Sequence, residues 1–351
     1  MTPKRILILG TGHMAHHHAR ELGRLPGAVL VAGVDSNRER ADAFTAGHAL
    51  PHAFGSLEDA LAWGAFDAAV NATPDAAHTS TTLALIAAGK AVFCEKPLAL
   101  DAVAADAMTA AAEAAGVVNM VNLPYRNAAA LQQARAMVEA GQLGTIRHIE
   151  ASYLQSWLTA RHWGDWRTEE RWLWRLSTEH GSKGVLGDIG VHLLDFVSFG
   201  SGLDVAALGA RLRTFDKAPG NRIGAYGLDA NDSVVLTVEM ANGALGVVNM
   251  SRFATGNAND LTLNLYGETG ALRVWANSET SRLDGCFGPD LDTQRWRPIP
   301  TPETPRNEAR FVEALQTGVN GQPDFRHAAT VQRLLDLCFQ SDREGRTLRV
   351  A

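Results

Sequence analysis

Apolar and polar positions follow two different rhythms along this chain. Up to about residue 120, short apolar runs alternate with Ala-rich stretches of helical spacing. Residues 6–9, 29–34, 68–71, 92–94 and 117–121 read as buried strands. Between them, residues 13–25 and 38–46 read as helices, the first stopped by Pro26-Gly27. Ser56-Leu57-Glu58-Asp59 has the capping-box pattern and opens a third helix. Thr73 is expected to cap a fourth, with Pro74 at its first position and Gly89 just past its end. Residues 101–115 form a fifth, ended by Gly116. Continuous apolar strands separated by helices predict a parallel sheet covered on both faces, and the right-handed crossover rule makes it doubly wound.

The rhythm changes after about residue 123. A helix over 128–140 leads into a long strand over 145–157, a Trp- and Arg-rich segment, and a helix near 185–199. From about 205 the period becomes two. Val234, Leu236, Val238 and Met240 alternate with Val235, Thr237 and Glu239. Asn242-Gly243 supplies a hairpin turn, and residues 245–252 return. Leu261, Leu263 and Leu265 alternate again, and helices near 310–317 and 328–340 follow. The expected organisation is two domains, 1–123 and 124–351, of α/β class.

Length and composition agree. The 351 residues suit two domains, with 46% hydrophobic and 20% charged residues. Lys plus Arg is 32 against 38 for Asp plus Glu, a formal charge of −6, which argues against nucleic-acid binding. Cys94, Cys286 and Cys338 form no framework, so reduced thiols and a cytoplasmic setting are expected. The N-terminal apolar run is too short for a signal peptide, and no run is long enough to span a bilayer, so no membrane partner is expected.

Candidate chemistry begins at Gly10-Thr11-Gly12-His13-Met14-Ala15, a G-x-G-x-x-A turn between the first strand and the first helix. Gly10 permits the turn, Gly12 lets backbone approach a pyrophosphate, and Ala15 lets helix and strand pack closely. Asp35 ends the second strand, where an acid binds adenosine ribose hydroxyls. It would repel a 2′-phosphate, so NAD is expected over NADP. Arg38, with Ser36 beside it, lies close enough to soften that preference. His13 lies in the loop, near the expected cofactor phosphates. His16-His17-His18 face different directions on a helix and read as structural or surface residues.

At Cys94-Glu95-Lys96-Pro97 the pattern becomes more specific. Together with Asn71-Ala72-Thr73-Pro74-Asp75-Ala76-Ala77-His78 and Asn122-Leu123-Pro124-Tyr125-Arg126, it resembles the Gfo/Idh/MocA family of glucose–fructose oxidoreductase, inositol dehydrogenase and rhizopine-catabolism proteins. The resemblance continues through Gly184-Val185-Leu186-Gly187-Asp188-Ile189-Gly190-Val191-His192-Leu193-Leu194-Asp195 and Tyr266-Gly267-Glu268-Thr269-Gly270. It implies an N-terminal Rossmann domain and a C-terminal α/β domain with a large open, mostly antiparallel sheet. It also implies a nicotinamide cofactor, a sugar, anhydrosugar or cyclic-polyol substrate, and a homo-oligomer, dimer or tetramer, built on the open sheet face. Thr11, Met14, Asn71, Ala72, Thr73, Pro74, His78, Glu95 and Asn122 correspond to cofactor-side positions. Tyr125 and Arg126 correspond to positions near the substrate.

Hydride transfer from an alcohol needs a proton acceptor and a group that stabilises the developing oxyanion. Lys96 ends a strand at the sheet's carboxyl edge, where ligands bind in such folds, and Pro97 biases it toward extended backbone. Asp188 and His192 are four apart, on one face of a helix. His192 is assigned as acid/base, Lys96 as polarising group and Asp188 as orienting group, and the first two roles remain exchangeable. His192 with Asp195 or His180 also has metal-like spacing, but the dinucleotide loop would then lack a purpose, so no metal is expected. Trp157, Trp163, Trp166, Trp172 and Trp174 interleave with arginines, and Trp174-Arg175 are the expected substrate contacts among them. Two competing readings are an enzyme that oxidises and re-reduces sugar on a retained cofactor and a non-catalytic NAD- or sugar-sensing regulator. A regulator would be expected to have lost Lys96 or the Asp188–His192 pair.

Overall fold

A computed structural model describes residues 2–350. Contacts divide the chain into two units, Met1–Pro124 with Pro305–Arg333, and Tyr125–Thr304 with Leu334–Ala351. A single cut at 123 therefore misses that the 305–333 segment belongs with the first unit.

The first unit holds six strands: β1 (Lys4–Leu9), β2 (Ala28–Val34), β3 (His52–Phe54), β4 (Ala68–Asn71), β5 (Ala91–Cys94) and β6 (Asn119–Val121). All pair in parallel, in the order β3-β2-β1-β4-β5-β6. The helices between them are α1 (His13–Leu22), α2 (Arg38–Gly47), α3 (Leu57–Trp63), α4 (His78–Ala87) and α5 (Ala102–Ala115). Ile6, Leu7 and Ile8 of β1 are all buried, because helices cover both faces of the sheet. Phe93 of β5 stacks on Phe311 from the returning segment, with ring centroids 5.2 Å apart. Burial of such a side chain contributes roughly 1.5–3 kcal/mol.

The expected caps have mixed outcomes. Ser56 accepts from the Asp59 N–H as expected, while Asp101, read as the first residue of its helix, instead caps it by accepting from the Ala104 N–H. Gly116 ends α5 in the left-handed conformation. Thr73 does not cap a helix. Its hydroxyl donates to Asn71 Oδ1, Pro74 precedes a 3₁₀ turn at Asp75–Ala77, and α4 begins only at His78. Asn71 Oδ1 accepts from both the hydroxyl and the N–H of Thr73 and so holds that residue to the end of β4, ahead of the helix start.

The second unit is built on strands β7 (Ile146–Leu154), β8 (Val205–Arg213), β9 (Arg222–Ile223), β10 (Tyr226–Gly227), β11 (Ser233–Met240), β12 (Leu245–Ser251), β13 (Asp260–Gly267), β14 (Gly270–Ala276), β15 (Ser281–Phe287), β16 (Arg297–Pro298) and β17 (Leu348–Arg349). Nine of them form one sheet, β16-β15-β14-β13-β7-β12-β11-β8-β17. Every pairing in it is antiparallel except β7 with β12. Its helices are α6 (Ala129–Glu139), α7 (Glu170–Leu173), α8 (Val191–Ser201) and α9 (Asp290–Thr293). The last two helices, α10 (Asn307–Thr317) and α11 (Phe325–Glu344), belong to the first unit and to both units in turn. α6 and α8 cover one sheet face. On the other, Val235 (52%), Leu245 (60%) and Val247 (39%) are exposed beside polar neighbours.

Just before α8 the chain makes a π-helical turn, Leu186–Gly190. Such turns are frequent at functional sites, because the extra residue redirects side chains. Among the described residues, no helix is long and apolar enough to cross a membrane, and no group of three or more His, Cys, Asp or Glu gathers as a metal site.

Candidate active site

Ligands bind a doubly wound sheet where the strand order reverses, which here falls between β1 and β4. Gly10 leaves β1 with φ +81°, and a Cβ there would lie 2.6 Å from the Ala72 carbonyl oxygen after β4. Only glycine allows the two loops this approach. Gly12 starts α1 with open space around its Cα and no side-chain cap. The first amides of α1 therefore suit an anionic group, and the cradle fits a dinucleotide pyrophosphate. Ala15 is fully buried, while His13 and Met14 are exposed.

Asp35 Oδ2 accepts from both the N–H (3.1 Å) and hydroxyl (2.7 Å) of Thr11, and Oδ1 from the Asn37 N–H. Partial burial alone would raise this carboxyl, but these bonds hold it below its ordinary range. Asp35 is thus an ionised, half-buried acceptor at the end of β2. Ser36 is exposed, and Arg38 pairs with Asp42 one turn along α2.

Asn71 and His78 organise the loop after β4 from beneath. Asn71 Nδ2 donates to Thr81 and Thr82, and its Oδ1 holds Thr73. His78 is buried, with one ring nitrogen 2.7 Å from the Pro97 carbonyl oxygen and the other 2.9 Å from that of Thr73. Ala72 and Thr73 are half-buried, and Pro74 is exposed.

The Glu95-Lys96-Pro97 turn follows β5, with a cis bond before Pro97. Glu95 Oε1 lies 2.9 Å from His18 Nε2 and accepts from Asn122 Nδ2 at 2.8 Å, while Oε2 accepts from the Lys96 N–H. Burial opposes ionisation of Glu95, but His18, Asn122 and Lys96 together hold its pKa down at about 2. Asn122 is itself held by Asn307. His18 completes this group and is missing from the sequence-derived candidates.

In the second unit, the π turn presents Asp188 and the first turn of α8 presents His192. Asp188 Oδ2 accepts from Arg252 Nη2 at 2.9 Å, with Arg175 Nε 3.9 Å away. Arg252 is fully buried, donates also to the carbonyls of Arg175 and Gly184, and lies over Trp157. The His192 ring meets the Tyr125 ring edge-on at 5.1 Å. Tyr125, Tyr153 and Asn259 close a hydrogen-bonded ring. Asn259 Nδ2 donates to Tyr125, the two hydroxyls are 2.6 Å apart, and Tyr153 donates to Asn259 Oδ1. Burial, with Asp188 adding to it, raises both tyrosines, so they stay protonated near neutrality.

Two expected substrate contacts diverge. Trp174 remains exposed (41%), with the Arg175 guanidinium over its ring at 4.4 Å. Arg126 instead faces the interior. It is buried in a two-pronged pair with Asp195, at 2.6 and 2.9 Å, and lies over Phe199. Arg252, Tyr153 and Asn259 were not legible as site residues, since each reaches the Asp188–His192 region from a strand or loop remote in sequence.

Comparison with known proteins identifies the family. Residues 4–123 match the NAD-binding Rossmann-fold model of an oxidoreductase family, and residues 131–273 match the Gfo/Idh/MocA C-terminal domain model. A levoglucosan dehydrogenase of Pseudarthrobacter phenanthrenivorans is 30% identical over 264 residues, which cover 70% of this chain and 65% of that protein. The chain thus spans slightly under two thirds of that relative. An NADP-dependent scyllo-inositol 2-dehydrogenase of Bacillus subtilis is 28% identical over 82% of this chain and 83% of its own. The structure of a levoglucosan dehydrogenase in complex with NADH and L-sorbose superposes with a TM-score of 0.88 over 100% of both chains, at 24% identity, which speaks to the fold. With both domain models matched in order, the chain belongs to the Gfo/Idh/MocA family of NAD-binding oxidoreductases.

Proposed function

We propose that this protein is an NAD-dependent dehydrogenase that oxidises a secondary alcohol of a sugar, anhydrosugar or cyclic polyol, or reduces the matching ketone. The observation that carries this reading is the polar group around Asp188 and His192. An anchored carboxylate, a histidine and two neutral phenols offer a ring substrate several hydrogen-bonding partners. The sugar and inositol names of the relatives support the same class. In this reading the first unit binds NAD and the second binds the substrate.

Bound NAD supplies a hydride acceptor. The chain's residues do the rest. His192 takes the hydroxyl proton, since an imidazole nitrogen can accept one while the adjacent tyrosines, raised by burial, hold theirs. Lys96 stabilises the developing oxyanion with its ammonium group. Asp188, anchored by Arg252, accepts from a neighbouring hydroxyl and orients the ring. Trp174 offers a flat face to the C–H side of a sugar. Asp35 favours NAD over NADP. The exposed apolar strip of Val235, Leu245 and Val247 suits a subunit interface on the open sheet face. Three buried, unpaired cysteines agree with a reducing, cytoplasmic setting.

The test is nicotinamide absorbance during incubation with NAD, or NADP in parallel, against cyclic polyols, aldoses and anhydrosugars. Rapid reduction of NAD by one ring class is expected. NAD binding without reduction by any of them would overturn the reading in favour of a retained-cofactor enzyme or a sensor.

A further inference from the structure

Two histidines outside the reacting groups have partners that leave them little choice of charge. His18, on the buried stripe of α1, places Nε2 2.9 Å from Glu95 Oε1 and Nδ1 2.9 Å from Glu308 Oε1. Both partners are carboxylates, and carboxylates only accept. Glu95 already takes protons from Asn122 and from the Lys96 N–H, so its oxygens face donors on every side. His78 repeats the arrangement with neutral partners. Both of its ring nitrogens face backbone carbonyls, those of Pro97 and Thr73, which cannot donate. A neutral imidazole carries one N–H, so in either place it would set a lone pair against an oxygen. Each ring is fully buried, where such a mismatch costs most.

The two sites share one target. His18 holds the side chain of Glu95, and His78 holds the carbonyl of Pro97. The residue between these two in sequence is Lys96. We propose that His18 and His78 are positioning residues, two buried imidazolium cations that grip the Glu95-Lys96-Pro97 turn at both ends and so fix the backbone from which the lysine acts. This rests on the reading of Lys96 as a group at the reacting centre.

The charged neighbours agree. Glu95, Glu308 and, 3.7 Å from Glu308, His17 surround His18, Lys96 acts on Glu95 from its other side, and Cys94 and Asp75 accompany His78. Burial alone would lower both histidines. The two carboxylates push His18 up to about 9, and Cys94, the Pro97 carbonyl and Asp75 push His78 up to about 10. Charge-assisted bonds of this kind are shorter and stronger than neutral ones, so they suit a clamp.

The test has two arms. The first is the ¹⁵N chemical shifts of the histidines in the intact protein across neutral pH. Two imidazolium signals that persist above pH 7.5 are expected. A neutral tautomer at either position at pH 7 overturns the proposal, whatever the enzyme does. The second arm is turnover and NAD affinity of His18→Gln and His78→Gln, which keep size and lose charge. Each is expected to lower kcat about 10–100-fold, since a small displacement of a reacting group costs that much. NAD affinity should change less than about threefold, because the Gly10-Thr11-Gly12 cradle is untouched. Wild-type kcat in either folded variant overturns the positioning role, as does an equal loss of kcat and NAD affinity, which a collapsed domain would give. Lys96→Ala separates this from the parent reading. If it retains turnover, the assignment of Lys96 fails, while the ¹⁵N shifts still decide the charge of the two rings.

Discussion

The Lys96 turn and the Asp188 turn each present one charged group, and they hold it by different means. In the first unit the supporting charges are histidines, His18 against Glu95 and Glu308, and His78 against two carbonyls. In the second the support is Arg252, buried and joined to Asp188 at 2.9 Å. An arginine stays protonated at any pH a protein survives, while an imidazolium can be titrated away. The difference teaches that the support of the Lys96 turn is open to titration, while the arginine that supports the Asp188 turn guards it against pH.

The largest effect separates the proposed reacting groups, Lys96 and His192, from their supports. Lys96→Ala or His192→Ala is expected to lower kcat about 10²–10⁴-fold, the range for removal of an acid/base or polarising group. NADH binding, followed by its nicotinamide fluorescence, should survive Lys96→Ala. Turnover within a few-fold of wild type in both variants would break the comparison, because neither turn would then carry the chemistry.

Next comes Arg252→Leu, which removes the permanent cation from the second turn. It removes the 2.9 Å bond to Asp188 and strands the Arg175 and Gly184 carbonyls. Truncating one side of a buried pair costs about 3–5 kcal/mol, and the partial exposure of Asp188 places this one near the lower end. Chemical denaturation reads it directly. A loss below about 1 kcal/mol would mean that Trp157 packing, not the ion pair, holds Arg252.

These supports also mark where the sequence stops being informative. Five of the six strands of the first unit are legible because parallel strands bury both faces and read as apolar runs, while β3, only three residues long, is not; the cap at Ser56 and the stop at Gly116 are legible because capping is local. β14 and β15 passed unread, as short runs interrupted by Gly270, Arg273, Arg282 and Gly285. The π turn at Asp188 is a one-residue change of winding that periodicity cannot resolve. Arg252 reaches Asp188 across 64 residues, through a sheet whose β7–β12 pairing is parallel in an otherwise antiparallel array. His18 is different, because a signal existed. Ala15, His18, Ala19 and Leu22 are the buried positions of α1, at the spacing i, i+3, i+4, i+7. A histidine on that stripe must find polar partners inside, and the run of three histidines concealed which one it was.

The pH dependence of stability sharpens the contrast. His18 has a folded pKa of about 9, above its unfolded value of 6.5. Its contribution is therefore full below pH 6.5 and is lost as pH rises through about 9. Glu95, depressed from 4.5 to about 2, is the same pair seen from the acid side, with its contribution present above pH 4.5 and lost as pH falls through 2. Thermal unfolding should show Tm declining between pH 7 and 9.5 by an amount equivalent to a few kcal/mol at most. His18→Gln should flatten that decline, and Arg252→Leu should leave its slope unchanged. An unchanged slope in His18→Gln would remove His18 as its source.

The smallest effect concerns which dinucleotide the first unit accepts. Asp35 is ionised, half-buried and already bonded to Thr11 and Asn37, so its charge is fixed in place at the end of β2. A 2′-phosphate brought there meets a like charge that cannot turn away. Asp35→Ser removes the charge while keeping a hydroxyl for the Thr11 amide. Arg38 and Arg40 remain nearby to meet a phosphate, since the Arg38–Asp42 pair is exposed and holds its partner weakly. The ratio of kcat/KM for NAD over NADP is expected to fall about tenfold or more, equivalent to roughly 1.4 kcal/mol. Stability should change by less than about 1 kcal/mol, since Asp35 is only half-buried and the serine hydroxyl keeps an acceptor for the Thr11 amide. A ratio that does not move would mean that the loop backbone, not Asp35, selects the dinucleotide, and would make the first unit's cofactor choice independent of the anion fixed at the end of β2.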